Sequence, residues 1–274
     1  MQPWRLIISP PSDGFTNMAV DEALFKAGSA GTSLPTLRFY TWEPPAVSVG
    51  YFQNSLGEVD LAVCRKMGID VVRRLTGGRA VLHDRELTYS IISPDNSSNF
   101  PDNILGTYKI VSSCLVSGLN SIGLNALLTS SVRKAGRDSP SACFTSPSHY
   151  EITIDGKKLV GSAQRRGEGA FLQHGSILLE FDREKLRKVL PITGRLDSVT
   201  SISEHSSIDS AGLVSSLVMG FERGLEVSFS EVGMTDEEVA LSQHYREERY
   251  SRPEWNFKRP SERGEIPPPL TGGG

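Results

Sequence analysis

The stretch Tyr150-Glu151-Ile152-Thr153-Ile154-Asp155-Gly156-Lys157-Lys158-Leu159-Val160-Gly161-Ser162-Ala163-Gln164 decides the fold. Two extended runs flank Asp-Gly, a favoured two-residue hairpin turn. Alternation places Ile152, Ile154 and Leu159 on one face and Thr153 and Lys158 on the other. The chain here is an antiparallel hairpin.

Working outward, Thr16 to Ala27 has helical spacing of Met18, Val20, Ala23 and Leu24, with Thr16 as a possible cap. Leu37–Tyr40, Ala46–Phe52, Ile69–Arg74, Ala80–His83 and Glu86–Ser93 read as strands. Val59–Met67 reads as a short helix stopped by Gly68. Ile104 to Ile122 repeats apolar residues every three or four positions, which predicts a longer helix. Ser130–Ser148 is polar and reads as a loop, and Ala170–Phe181 is a further strand. Asp182–Val189, Ile208–Leu225 and Thr235–Tyr250 are helical. Strands first and helices after them predict an α+β fold with a mixed, largely antiparallel sheet.

Hydrophobic residues make up 38% and charged residues 22% of the 274, an ordinary globular mixture with net charge -3. That balance gives no global reason to bind nucleic acid. No run reaches the roughly 18 apolar residues of a membrane helix. The start, Met1-Gln2-Pro3-Trp4-Arg5, lacks the pattern of a signal peptide. The expectation is a cytoplasmic protein with one domain over residues 1–258. Residues 259–274, rich in proline and ending Thr271-Gly272-Gly273-Gly274, read as a disordered tail.

Three cysteines, with no Cys-x-x-Cys pair, form neither a disulfide framework nor a zinc site. Cys64 and Cys114 fall on helical faces and read as core. Cys143 falls in the polar loop, where a thiol near a cation acts as a nucleophile, although an exposed loop thiol is also often incidental. In Arg73-Arg74-Leu75-Thr76-Gly77-Gly78-Arg79, paired glycines let a backbone approach a ligand and the arginines could meet a phosphate; a plain glycine turn fits equally. It is not a Walker loop. Lys158 could reach into a site or be solvated, and Gly161-Ser162-Ala163 beside it offers room for close approach. His83 and His174 are each acid–base candidates or hydrogen-bonded structural histidines.

Taken together these motifs resemble the lipoate–biotin protein ligase superfamily. Within it they are most similar to the bacterial octanoyl-[acyl-carrier-protein]:protein N-octanoyltransferases of the LipM type. The resemblance runs from Asn17-Met18-Ala19-Val20-Asp21-Glu22 through Ser48-Val49-Gly50-Tyr51-Phe52-Gln53, Arg73 to Ser90, Cys143-Phe144 with Pro147-Ser148, Lys158 to Gln164, and Gln173-His174-Gly175-Ser176 to Glu254-Trp255-Asn256. It implies that Cys143 takes an octanoyl group from octanoyl-acyl carrier protein as a thioester. Lys158 would favour the thiolate and polarise the acyl carbonyl. The group would then pass to a lysine of a lipoyl domain or a glycine cleavage H-type carrier. Arg73, Arg74, Thr76, Gly77, Gly78, His83, Gly161, Ser162, Ala163 and His174 become substrate-binding candidates, and neither ATP nor a metal is expected.

An ATP-dependent lipoate ligase is the nearest rival. Ligases usually carry a third glycine where Arg79 stands and lack the cysteine. An octanoyl amidotransferase between lipoyl carriers would use the same thiol. A biotin ligase lacks support, because its glycine-rich signature is absent. A binding module without catalysis would not need Cys143, Lys158 and the glycine loop together.

Overall fold

The computed structural model describes residues 2–129, 150–191 and 196–264. Among them the chain builds one eight-stranded and one three-stranded sheet. The large sheet comprises β1 (Gln2–Ile8), β2 (Thr36–Tyr40), β6 (Glu86–Pro94), β7 (Leu127–Thr129), β8 (Glu151–Ile154), β9 (Lys157–Gly167), β10 (Ala170–Leu178) and β11 (Val227–Glu231). Their order is β11-β1-β2-β6-β10-β9-β8-β7. The β1–β11 and β1–β2 pairs are parallel and the rest antiparallel. The small sheet sets β3 (Ala46–Val49) between β4 (Asp70–Arg73), parallel to it, and β5 (Val81–His83), antiparallel. The mixed, largely antiparallel α+β architecture is therefore present.

The hairpin forms as its sequence predicts: β8 and β9 meet at Thr153↔Lys158, and Asp155 and Gly156 take positive φ in the turn. Ile152, Ile154 and Leu159 are buried in one core. Strand alternation divides β6 in the same way. Leu87, Tyr89 and Ile91 join Leu115 and Leu119 of α4 (Ile104–Ser121) and Leu217 and Phe221 of α6 (Ser210–Leu225). Ile92 points to the opposite layer, against Met18, Leu24 and Phe25 of α1 (Gly14–Ser29). Its neighbours on that face are Glu86, Thr88 and Ser90, all buried. A buried polar face within a strand requires partners, and it marks where the site lies.

Several boundaries differ from the sequence reading. The strand expected over Ala46–Phe52 ends at Val49, because Gly50 packs on the glycine loop: an added Cβ there would lie 2.0 Å from the Gly78 carbonyl oxygen. The helix expected over Val59–Met67 becomes α2 (Ser55–Glu58) and α3 (Leu61–Lys66). Asp60 separates them and caps α3, accepting from the Val63 amide at 3.0 Å. The remaining helices are α5 (Arg183–Val189), α7 (Asp236–Tyr245) and α8 (Pro253–Phe257), and α7 runs into one π-helical turn, Arg246–Tyr250. Strands β1, β7 and β11 and helix α8 carry weak local signals and were not expected. Residues 259–264, assigned above to the tail, are ordered. Pro260–Arg263 forms a 3-10 turn, Pro260 is buried, and the Arg263 guanidinium lies 4.4 Å from the Trp255 ring. Among the described residues no helix is long and apolar enough to cross a membrane.

Candidate functional site

The polar face of β6 and β10 closes against α1 and the small sheet around a small cavity. Its wall includes Met18, Trp42, Ser48, Arg74, His83 and His174, with Gly161, Ser162 and Ala163 along β9. Six expected site residues (Arg74, His83, Gly161, Ser162, Ala163, His174) thus meet in one place. The free space is about 30 Å³, room for a water molecule.

Two histidines define the wall. His174 on β10 holds Asp21 with Nδ1 at 3.1 Å and Thr76 Oγ1 with Nε2 at 2.7 Å. Asp21 is itself fixed by Arg38 at 2.7 Å, Tyr40 at 2.9 Å and Ser90 at 2.9 Å. Burial pushes the Asp21 carboxyl upward, but the His174 hydrogen bond and the Arg38 charge outweigh it and hold it below 3.8. Burial holds His174 below its ordinary 6.5, more strongly than Asp21 raises it. His174 is thus the neutral ring, donating from Nδ1 and accepting at Nε2. Tyr40 is pushed well above 10 by burial and the Asp21 charge. The second histidine, His83 at the end of β5, lies 2.7 Å from Ser48 Oγ and 2.7 Å from Glu86 Oε1, and stacks on Trp42 at 4.0 Å.

Linkage gives His174 a definite pH signature. The unfolded ring takes its proton near 6.5 and the folded ring resists, so stability is fully present above 6.5 and declines as pH falls below it. The apparent Tm of the protein is expected to fall between pH 6.5 and 5, and less steeply in His174→Gln. Equal slopes in both proteins would show that other groups set the decline.

The two arginines of the glycine motif are both held by internal hydrogen bonds. Arg73 is fully buried. It donates to the carbonyls of Gly50, Tyr51 and Gln53 at 2.9, 2.9 and 2.8 Å, and to those of Trp255 and Asn256 at 2.9 and 3.2 Å. It ties three segments together and does not line the cavity. Arg74 lines the cavity but curls the glycine loop around itself. It donates to Thr76 Oγ1 at 3.1 Å, the Gly77 carbonyl at 2.7 Å and the Arg79 carbonyl at 2.8 Å. Gly78 needs its φ of +90°, and an added Cβ would lie 2.9 Å from Arg74 Nη2. Thr76 lies behind the wall, while Gly77 and Gly78 form the loop tip, Gly78 exposed.

Lys158 lies three residues before Gly161 on β9. Its side chain is 7% exposed, not solvated, and its Nζ lies 3.0 Å from Glu151 Oε1. Cys143 lies outside the described residues. Cys64 and Cys114 are buried, and burial pushes their thiols up to about 11 and about 12, as expected for core cysteines.

Sequence reasoning missed Ser48, Thr88 and Ser176 as parts of the wall and Glu86 behind His83, and read no role into Asp21 beyond its motif. A signal for them exists: Glu86, Thr88 and Ser90 alternate with Leu87, Tyr89 and Ile91, marking a strand with two different buried faces.

This geometry agrees with what the chain is similar to. The octanoyltransferase LipM of Brevibacillus brevis is 42% identical over 276 residues, covering 94% of this chain and 100% of the relative. A T. acidophilum protein described as a lipoate protein ligase, solved with bound lipoic acid, superposes with TM-score 0.78 at 28% identity, covering 94% of this chain and 100% of its own. A lipoate-protein ligase A bound with ATP superposes with TM-score 0.79 at 28% identity, covering 94% of this chain and 99% of its own. The family model of the lipoyl protein ligase A/B catalytic domain matches residues 13–222. The chain therefore belongs to the lipoyl protein ligase A/B catalytic domain family.

Proposed function

We infer that the protein is an octanoyltransferase of protein lipoylation. In this reading Cys143 attacks octanoyl-acyl carrier protein, holds the octanoyl group as a thioester and yields it to a lysine of a lipoyl domain. The observation that carries the reading is the 42% identity to an octanoyltransferase over the relative's whole length. The chemistry is self-consistent. Exchange of a thioester onto a thiol is close to thermoneutral and amide formation runs downhill, so ATP is not required. Covalent catalysis divides one difficult transfer into two steps. Burial of the acyl chain, at about 0.8 kcal/mol per methylene, gives several kcal/mol for chain-length choice.

Lys158 carries the next expectation. Its ammonium is buried and paired with Glu151, so it is held in place, and a cation near a thiol lowers its pKa. Lys158→Ala is expected to slow acyl-enzyme formation about 10- to 100-fold and to raise the pH at which Cys143 alkylates by about one unit. An unmoved alkylation profile would count against the thiolate role.

The reading is tested by intact-protein mass spectrometry after mixing with octanoyl-acyl carrier protein, without ATP. A gain of one octanoyl group is expected, removed by hydroxylamine in one portion and transferred to an added lipoyl domain in another. If labelling occurs only with ATP and free octanoate, the chain is a ligase. If it occurs only from an octanoylated lipoyl carrier, the chain is an amidotransferase.

A further inference from the structure

His83 sits in an arrangement that substrate contact alone does not explain. Ser48 Oγ is 2.7 Å from its Nε2 and Glu86 Oε1 is 2.7 Å from its Nδ1. The sequence hydroxyl, imidazole, carboxylate is that of a proton relay. Arg74 Nη1 donates to Ser48 Oγ at 3.0 Å, which leaves the hydroxyl hydrogen to point at Nε2. The ring then carries its hydrogen on Nδ1, facing Glu86. Thr88 and Ser176 add hydroxyl donors to the same Glu86 oxygen at 2.6 and 2.8 Å. Trp42 fixes the ring plane by stacking within 12° of parallel, and its Nε1 holds Thr88 at 2.7 Å. The relay is thus oriented from both ends and from one face.

We propose that Ser48, His83 and Glu86 take the proton that the acceptor lysine releases when it attacks the acyl thioester. The proposal rests on the transferase reading above. An acceptor lysine is an ammonium at neutral pH, and it loses two protons in becoming an amide. Once the first proton has left, the freed lone pair of the nitrogen forms its bond to the acyl carbon, and the carbon–sulfur bond breaks with its electron pair on sulfur. One proton goes to that sulfur. The other goes to Ser48 Oγ as the serine hydrogen passes to His83 Nε2, giving an imidazolium opposite Glu86. Glu86 also borders a second cavity of about 450 Å³. The wall of that cavity includes Arg85 and Glu180, 68% and 52% exposed. Ser48 and His83 touch the substrate space, and Glu86 is a positioning residue. The other charged or titratable groups near the ring are Arg74 at the end of β4, Tyr40 on β2, and His174 on β10 with Asp21 of α1 behind it.

The test separates the two half-reactions. The full-length protein is loaded from octanoyl-acyl carrier protein, followed by intact mass, and then mixed with a lipoyl domain in single turnover from pH 5.5 to 9. His83→Gln and Ser48→Ala are expected to slow transfer to the lysine about 100-fold or more, with a much smaller effect on loading. Glu86→Gln, nearly isosteric, is expected to slow transfer and to move its acid limb to lower pH, because the imidazolium loses its counter-charge; Glu86→Asp is expected to restore part of the shift. A merely structural role would not move that limb. Wild-type transfer rates in His83→Gln, equal losses in loading and transfer, or an unmoved limb in Glu86→Gln would overturn the relay alone. A wild-type protein that never loads would overturn the transferase reading and the relay with it.

Discussion

Cys143→Ser is expected to load no octanoyl group and to lose transfer by a factor on the order of 10³ or more, with the fold intact. A serine hydroxyl is not ionised by a nearby ammonium at neutral pH, whereas a cysteine is. The other two thiols cannot stand in for it. Burial pushes Cys64 up to about 11 and Cys114 up to about 12, so at pH 7 about one in 10⁴ or fewer is thiolate. Both also pack inside cores: Cys64 with Val47 and Leu186, Cys114 with Leu115 and Leu217. The double variant Cys64→Ala, Cys114→Ala should therefore still load a hydroxylamine-sensitive octanoyl group. A sensitive adduct that survives in Cys143→Ser would transfer the nucleophile to one of the buried thiols and remove the mechanism.

Arg73→Met is expected to cost about 3–5 kcal/mol, read as a fall of roughly 10 °C in apparent Tm. The substitution keeps an unbranched apolar stem, shorter than the arginine, and removes its donors. Five carbonyls then lose a partner: Gly50, Tyr51, Gln53, Trp255 and Asn256. The C-terminal segment is also held through Arg73 main-chain atoms, with Trp255 Nε1 donating to its carbonyl at 2.9 Å and Asn256 Oδ1 accepting from its amide at 2.9 Å. Arg73→Lys should recover little, since an ammonium has three donors on a point charge where the guanidinium has five in a planar fork. Near-normal Tm in Arg73→Met would mean that α8 and the Gly50–Gln53 turn hold without the clamp. Selective loss of substrate binding at unchanged Tm would return Arg73 to the ligand-contact role that its motif suggests.

The local sequence of this protein already determines its period-two and period-3.6 elements. The hairpin over Tyr150–Gln164 carries its turn in Asp155-Gly156, and α4 carries its stripe in Val111, Leu115 and Leu119. Both signals are short-range, set by the backbone preference of a few residues and by which side chains share a face. The sequence also groups Arg73, Arg74, Thr76, Gly77, Gly78, His83, Gly161, Ser162, Ala163 and His174 as candidates, through the motifs that hold them and the family resemblance those motifs carry. Tertiary structure alone decided what those residues do. Arg73 and Arg74 are neighbours with the same side chain, yet one clamps carbonyls on the far side of the small sheet and the other lines the cavity. That difference follows from strand alternation at the end of β4 and from the arrival of α8, about 180 residues later in the chain. The Ser48–His83–Glu86 and Asp21–His174–Thr76 sets join residues from different strands and from a helix, and the pairings Ser48–His83 and Asp21–His174 are long-range ones that leave no local mark. Strands β1 and β11 show the same limit, since each becomes a strand only where a neighbour supplies the other half of its hydrogen bonds.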